Sequence, residues 1–235
     1  HVPDINDFTL GIKNLMKPEG CISIEFPHLL NLIKYNQFDT IYHEHYSYLS
    51  LIAVNNIFKR FNLRIWKAEK IPTHGGSLRI YVCSISSQYK EDGSLEKILK
   101  EEEKFGLRDI KTYSNFQIKA NKIKHDLLLL LINLKYSNKK VVAYGAAAKG
   151  NTLLNYAGIK SDLVQCVFDS AESKQFMFLP GSHIPILPQK DIFKFNPDYI
   201  LILPWNISEE IMNQLSKLKE RGAKFITAIP DIKII

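Results

Sequence analysis

Apolar and polar residues follow two periodicities in the first part of the chain. Apolar residues at helical spacing predict two helices, at residues 7–16 and 50–61. Short runs rich in β-branched and aromatic residues predict three strands, at residues 21–26, 63–71 and 77–83. A helix, a strand, a second helix and two further strands amount to half of a doubly wound α/β domain.

The rest of the chain first continues with helices and then changes to alternating elements. Residues 93–135 carry a long helical periodicity and predict one or two connecting helices. From residue 139 onward, strands are predicted at 141–144, 164–168, 199–203 and 224–229, with helices at 145–156 and 208–219. Strands that alternate with helices predict a parallel sheet, because each crossover must cover a face of the sheet.

These patterns divide the chain into three segments. Residues 1–90 form a partial Rossmann-like domain that opens inside a helix, residues 91–136 are connecting helices, and residues 137–235 are a second Rossmann-like domain. Because residues 137–235 contain their own alternating strands and helices, we expect them to fold alone.

The composition is typical of a globular protein. Hydrophobic residues make up 46% and charged residues 23% of the chain. No apolar run approaches the roughly 18 residues of a membrane span, and no secretory signal precedes the first helix. We therefore expect no membrane partner and a cytoplasmic location. The three cysteines are far apart and predict neither a disulfide framework nor a metal site.

The net charge of +7 would suit either nucleic acid or a phosphorylated small molecule. Basic residues are interspersed with acidic ones, as in residues 101–104 and 217–221. Such mixed runs are typical of solvated helix faces. Nucleic acid is therefore not predicted as a partner.

The densest polar cluster runs from Phe38 to Tyr48, and its last seven residues contain two histidines, a glutamate and three tyrosines. Such side chains supply a general base, an orienting carboxylate and phenolic donors. In an extended segment His43 and His45 would share one face like a metal pair, but no third ligand lies nearby and Glu44 would point away. A hydrogen-bonded structural cluster is the other alternative.

A second cluster, Tyr144–Thr152, follows a buried strand and opens a helix. Backbone amides at a helix N-terminus bind phosphate, and Lys149 adds a positive charge. The segment matches neither Gly-x-Gly-x-x-Gly nor the P-loop pattern, since its lysine precedes Gly150. Close packing of an alanine-rich helix on a strand is the alternative.

Further polar residues stand at predicted strand ends. Asp169 occupies the position of a ribose-binding acid, which makes NAD a competing ligand, although the glycine fingerprint is missing. Trp205 and Asn206 follow a strand, where open sheets bind ligands, although a tryptophan is as often part of a core. Arg79 would bind phosphate or form a salt bridge on a strand, and His74 would bind substrate or cap its turn.

Six motifs in one order resemble the S-adenosylmethionine-dependent sugar C-methyltransferases that act on nucleotide-linked deoxysugars. They are Glu25–His28, Phe38–His45, Thr73–Arg79, Tyr144–Thr152, Leu179–Pro185 and Leu203–Asn206. Each is weak alone, but together they are specific and cover nearly the whole chain. The resemblance implies the C-terminal half of a class I methyltransferase Rossmann-like domain, followed by a second Rossmann-like parallel-sheet domain.

The resemblance also implies a reaction. A methyl group passes from S-adenosylmethionine to a carbon beside a ketone, usually C3 of a dTDP-4-keto-6-deoxy sugar. The last histidine of the Tyr-His-Glu-His motif, here His45, resembles the base, and Tyr42 and Glu44 would position the sugar and the imidazole. Spacing alone leaves His43 as an alternative base.

The second domain is implied to bind the sugar nucleotide. The candidate substrate residues are Arg79, His74, Tyr144, Gly145, Lys149, Asn151, Asp169, Lys174 and Asn206. The sequence Lys174–Gln175–Phe176 departs from the family's Lys-x-Gly pattern, which puts the contacts of that loop in doubt.

In the family, the glycine loop that binds S-adenosylmethionine precedes the segment that resembles His1–Phe8. The zinc-binding cysteines of the family also precede that segment. We therefore expect a longer enzyme or a separate chain to bind S-adenosylmethionine, and the isolated chain to bind none. A truncated, non-catalytic module that binds sugar nucleotides is the alternative.

Overall fold

A computed structural model describes all 235 residues and divides the chain into two compact units. The first unit consists of residues 1–35 and 43–116, and the second of residues 36–42 and 117–235. This division differs from the three predicted segments. The boundary at residues 116 and 117 falls inside the helix Ile110–Tyr136, and residues 36–42 belong to the second unit. Local periodicity in the sequence reveals neither feature.

The first unit joins four helices and the start of a fifth to a three-stranded sheet. The helices are α1 (Ile5–Leu15), α2 (Leu29–Lys34), α3 (Leu51–Arg60), α4 (Ser94–Phe105) and the beginning of α5 (Ile110–Tyr136). The strands are β1 (Cys21–Pro27), β2 (Leu63–Ile71) and β3 (Ser77–Ser84). The two predicted helices and three predicted strands lie within two residues of these bounds. The pattern missed α2, because six residues are too few to show a period.

The sheet of the first unit has the order β1-β3-β2, with β3 antiparallel to both neighbours. The connection between β2 and β3 is too short for a crossover, so these two strands must pair antiparallel. Strands β1 and β2 therefore run in the same direction, with α2 and α3 in the connection between them. Leu78, Ile80 and Val82 of β3 are fully buried against Leu51 and Phe58 of α3.

A buried carboxylate caps α3 from another helix. Glu102 of α4 accepts the backbone N–H of Leu51 at 2.6 Å and that of Ile52 at 2.8 Å. It also lies 2.7 Å from Nε2 of His28, and both side chains are fully buried. The first amides of a helix lack partners within the helix, so this carboxylate satisfies two of them. His28, which belongs to one of the six motifs, is thus part of the core.

The second unit is a six-stranded sheet with helices in its connections. Its strands are β4 (Val141–Tyr144), β5 (Val167–Asp169), β6 (Ile186–Pro188), β7 (Tyr199–Ile202), β8 (Lys224–Thr227) and β9 (Lys233–Ile234). Its helices after α5 are α6 (Ala148–Ala157), α7 (Ile192–Phe195), α8 (Ser208–Gln214) and α9 (Ser216–Glu220). The predicted parallel sheet is confirmed, since β9 alone runs antiparallel to its neighbour.

Some predicted elements of the second unit have different bounds. The first helix begins at Ala148, because residues 145–147 form a loop in which Gly145 has a φ of 90°. The predicted helix 208–219 is two short helices that meet at Leu215. The pattern missed β6 and β9, which are only three and two residues long.

The strand order of the second unit, β6-β5-β4-β7-β8-β9, changes direction at β4. The chain adds β5 and β6 on one side of β4 and then β7 and β8 on the other. Ligands of open α/β sheets bind beyond the carboxyl ends of the strands at such a switch point. In this unit the switch point lies at the loops that follow β4 and β7. None of the helices in either unit combines the length and the hydropathy that a membrane span requires.

Candidate functional site

Lys149 stands at the switch point, in the first turn of α6. Its ammonium donates a hydrogen bond to Oδ1 of Asn206 at 2.7 Å and lies 4.8 Å from the centre of the Trp205 ring. Burial lowers the pKa of Lys149, and the charge of Asp39 opposes that shift. An ammonium carries three N–H donors, so two remain for a ligand. The structure thus brings together two predicted site residues, Lys149 and Asn206.

Asp39 completes this cluster. Its fully buried carboxylate accepts the indole N–H of Trp205, with Oδ2 and Nε1 2.7 Å apart. Burial raises the pKa of Asp39 to about 6, while the bond from Trp205 and the charge of Lys149 act in the opposite direction. Asp39 lies in a short 3₁₀ turn, Phe38–Thr40, and the Phe38 ring lies 5.2 Å from that of Tyr156 on α6.

Asp39 was not among the site residues predicted from the sequence. It lies inside the polar cluster Phe38–Tyr48, but the histidines, glutamate and tyrosines of residues 42–48 carried the stronger chemical signal. Its partner Trp205 is 166 positions away along the chain, so no local spacing connects the two residues.

The glycines of the Tyr144–Thr152 motif permit a close approach to the end of β7. A Cβ at Gly145 would lie 2.6 Å from Cδ of Pro204, and a Cβ at Gly150 would lie 2.6 Å from Cβ of Leu203. Both distances are shorter than van der Waals contact allows. The packing alternative therefore accounts for both glycines, while phosphate binding by this loop stays a prediction.

Asp169 holds the loop that follows β4. Its two oxygens accept the backbone N–H groups of Ala146, at 2.6 Å, and Ala171, at 2.7 Å. Lys174 donates to the carbonyl oxygen of Ala146 at 2.9 Å and lies 3.9 Å from the Asp169 carboxylate. Phe176, in the loop that departs from the family pattern, adopts a φ of 65°. A ligand role for Asp169 or Lys174 stays a prediction.

Two further candidates of the second unit are partly or fully buried. The Tyr144 hydroxyl donates to Oε1 of Gln214 at 3.0 Å, and burial raises the pKa of Tyr144. Asn151 of α6 is half-buried, and its side-chain oxygen is enclosed without a hydrogen-bond partner.

The Tyr-His-Glu-His motif is not extended. His43 and Glu44 form a turn and are exposed, whereas Tyr42 and His45 are half-buried. The side chains of this segment therefore do not alternate between two faces as they would in a strand. Tyr42 belongs to the second unit and the other three residues to the first.

His45 is held among aromatic rings within the first unit. Its ring centre lies 5.0 Å from that of His1 and 5.8 Å, edge-on, from that of Tyr48. Tyr48 belongs to the predicted polar cluster, but neither neighbour was among the predicted site residues. Of the two histidines in the motif, only His45 thus combines partial burial with ring contacts that orient its imidazole.

Arg79 lies in a cross-strand ion pair of the first unit. Its guanidinium donates to Glu25 at 3.1 Å, and Glu25 also accepts the Thr73 hydroxyl at 2.7 Å. The bond from Thr73, more than the charge of Arg79, lowers the pKa of Glu25. This geometry matches the salt-bridge alternative for Arg79. His74 is exposed in the adjoining turn with a φ of 54°, and substrate binding by either residue stays a prediction.

Comparison with known proteins places this fold and its motifs in a family. Residues 72–230 match the C-methyltransferase C-terminal domain, and the chain belongs to that family. One similar protein is the C-methyltransferase NovU of Streptomyces niveus, which is 33% identical over all 235 residues. The match covers 56% of that relative, so the chain spans about half the length of the curated relative it matches. The resemblance drawn from the six motifs is thereby confirmed.

Proposed function

We propose that this chain is the part of a sugar C-methyltransferase that binds a nucleotide-linked keto-sugar and removes the proton from the carbon to be methylated. The observation that carries the proposal is the half-buried ammonium of Lys149, held by Asn206 and Trp205 at the switch point of a parallel sheet. A cation at this place in the fold suits an anionic ligand.

A diphosphate fits the donors that surround Lys149. The first amides of a ten-residue helix such as α6 have no acceptor within the helix, and they point toward the same end as the ammonium. Charge-assisted hydrogen bonds from an ammonium to phosphate are among the stronger ones in proteins. We therefore propose a dTDP-linked sugar as the ligand.

His45 is the proposed base. A carbon-bound proton becomes acidic when an adjacent ketone takes up the charge as an enolate, and C3 is such a position in a 4-keto sugar. His45 is half-buried and lies against the rings of His1 and Tyr48, whereas His43 is exposed in a turn. An oriented imidazole transfers a proton more efficiently than a mobile one. The roles of Tyr42 and Glu44 in positioning rest on the family resemblance.

S-adenosylmethionine supplies the methyl group in the reaction that the resemblance implies. The residues of this chain contain no Gly-x-Gly loop between a strand and a helix. They therefore do not fit that cofactor, and the steps proposed for this chain are sugar-nucleotide binding and proton removal.

Binding is tested by titrating dTDP into the wild-type chain and into Lys149→Ala. Losing one charge-assisted hydrogen bond should weaken binding by about tenfold to a hundredfold. Lys124→Ala is the matched control, because Lys124 also lies over an aromatic ring of the second unit, that of Tyr156. Equal affinities for wild type and Lys149→Ala would contradict the proposed role of Lys149.

Proton removal is tested by following the sugar protons of dTDP-4-keto-6-deoxyglucose by NMR in deuterated water with the 235-residue chain. His45→Gln should slow exchange at C3 by about 10²- to 10⁴-fold, the usual range for a general base, and should leave binding nearly unchanged. His43→Gln is the control and should exchange at the wild-type rate. Exchange at C5, the other carbon beside the ketone, would show that the proton is removed from C5 rather than from C3. Binding without any exchange would favour the non-catalytic module.

A further inference from the structure

Asp39 is a buried acid that neither proton removal nor diphosphate binding uses directly. We propose that Asp39 is a positioning residue for Lys149 and acts through the indole of Trp205. The proposal rests on the proposed function, in which Lys149 binds the diphosphate. All three residues belong to the second unit.

The contacts form a continuous series. Oδ2 of Asp39 lies 2.7 Å from Nε1 of Trp205, and the Trp205 ring centre lies 4.8 Å from the Lys149 ammonium. The next residue, Asn206, accepts from the same ammonium at 2.7 Å. Trp205 and Asn206 share one short 3₁₀ turn after β7. The hydrogen bond to Asp39 thus fixes the turn that supplies both contacts to Lys149.

The hydrogen bond between Asp39 and Trp205 controls the orientation of the indole ring as well as its position. An indole rotated about its χ2 angle would withdraw its N–H from the carboxylate and leave a buried acceptor without a partner, which costs free energy. The ring face is therefore kept beneath the ammonium. The cation–π contact and the bond to Asn206 then hold Lys149 in one position and leave its other two N–H groups for the ligand.

The charge of the carboxylate indicates a role beyond stability. A neutral asparagine would also accept the indole N–H, and it would avoid the cost of burying an ionised group. The Oδ1 atom of Asp39 is buried without a hydrogen-bond partner. Lys149 is the charged group that faces Asp39, and the negative charge of Asp39 helps to keep the half-buried ammonium protonated. Costly buried polar groups tend to occur at functional sites.

The first test is a double-mutant cycle on dTDP affinity, measured by calorimetry on the whole chain. When Lys149 is present, Asp39→Ala should weaken dTDP binding about tenfold, because the Trp205 ring and its turn lose their fixed orientation. In the Lys149→Ala background, the same substitution should weaken binding less than about twofold. Asp39→Asn keeps an acceptor for the indole and should restore affinity to within about threefold of wild type. A folded Asp39→Ala protein that binds dTDP as wild type does would overturn the proposal.

Trp205→Phe removes the donor from the other side of the bond while keeping an aromatic face. It should lose affinity about as much as Asp39→Ala, so it carries the test if Asp39→Ala does not fold. Wild-type affinity in Trp205→Phe would also overturn the proposal.

A second test does not depend on any ligand. The chain has two tryptophans, so its NMR spectrum should contain two indole N–H signals. The signal that is missing in Trp205→Phe belongs to Trp205. The remaining signal belongs to Trp66, whose N–H contacts the Cys21 sulfur. The Trp205 signal should shift as Asp39 titrates near pH 6, and Asp39→Asn should abolish the shift while the Trp66 signal stays unchanged. A pH-dependent shift of the Trp205 signal that persists in Asp39→Asn would contradict the bond.

Chemical access to Lys149 separates this proposal from the proposed function. Reductive methylation, followed by mass spectrometry, should modify Lys149 several-fold faster in Asp39→Ala than in wild type, because the ammonium loses its fixed contacts. If no variant binds dTDP, the proposed function fails, but the methylation rates still decide whether Asp39 positions Lys149. Equal rates would overturn the positioning role even where dTDP binds.

Discussion

Burial and hydrogen bonding shift the pKa of Asp39 in opposite directions. The pKa of this carboxyl is raised from 3.8 to about 6, because burial outweighs the bond from Trp205 and the charge of Lys149, both of which lower the pKa. A group whose pKa is higher in the folded than in the unfolded protein stabilises the fold at low pH. That contribution is lost as the pH rises through the folded-state pKa. Asp39 therefore lowers stability at neutral pH.

Asp39→Asn should remove this pH dependence. Between pH 4 and pH 7, the free energy of unfolding of wild type should fall relative to that of Asp39→Asn by about 2–3 kcal/mol, the equivalent of the pKa shift. Urea unfolding at several pH values measures the difference. Asp162→Asn, at an exposed acid of the same unit, is the control. A constant difference between wild type and Asp39→Asn would show that Asp39 does not titrate in this range.

Among the helices, α3 depends on a cap that comes from α4. Glu102 accepts two backbone N–H groups of α3 and contacts His28, all within the core. A glutamine at this position has a single acceptor oxygen, and its NH₂ group would face a backbone N–H of α3, which is also a donor. Glu102→Gln should therefore lower the free energy of unfolding by at least about 2 kcal/mol.

The neighbouring Glu103→Gln is the control for this change. Glu103 is exposed and lies 3.8 Å from Arg108, a surface pair worth about 0–1 kcal/mol. Denaturant midpoints of the two variants decide the comparison. Equal midpoints would mean that the buried carboxylate contributes no more than an exposed one.

Elements were predictable where a periodic pattern was long enough to read. The bounds of β2 and β4 agree with the predicted strands. Strand β4 is a continuous apolar run, and β2 intersperses apolar with charged residues between Asn62 and Pro72. The short elements α2, β6 and β9 escaped prediction, because they are stabilised by neighbouring elements rather than by a pattern of their own. The face that His43 and His45 would share in an extended segment does not form, because His43 and Glu44 lie in a turn.

At the scale of the molecule, the second unit includes most of α5. Ile123, Leu127, Leu131 and Leu134 are buried, and burial of four such side chains contributes about 8 kcal/mol, comparable to the stability of a whole domain. Lys135 also donates to the backbone of Asp162. The predicted start of this domain at residue 137 omits these contacts.

A fragment of residues 117–235 should accordingly unfold cooperatively, whereas residues 137–235 should be much less stable or unfolded. Circular dichroism during thermal unfolding of the two fragments measures this. Leu129 is exposed on the same helix, so Leu129→Ala in the longer fragment is a control that should change its midpoint little. A stable 137–235 fragment would restore the boundary predicted from the hydropathy pattern.

The sequence by itself determined the alternation of strands and helices, the parallel sheet of the second unit and the family. Each of these depends on local periodicity or on short motifs. It also placed Lys149 at the start of a helix and Asn206 after a strand. The tertiary structure decided which distant side chains meet, as when Asp39 binds Trp205 and Glu102 caps α3. Such pairs depend on the order of the strands and on how the helices pack. They cannot be read from the sequence, because no local spacing of residues encodes strand order or helix packing.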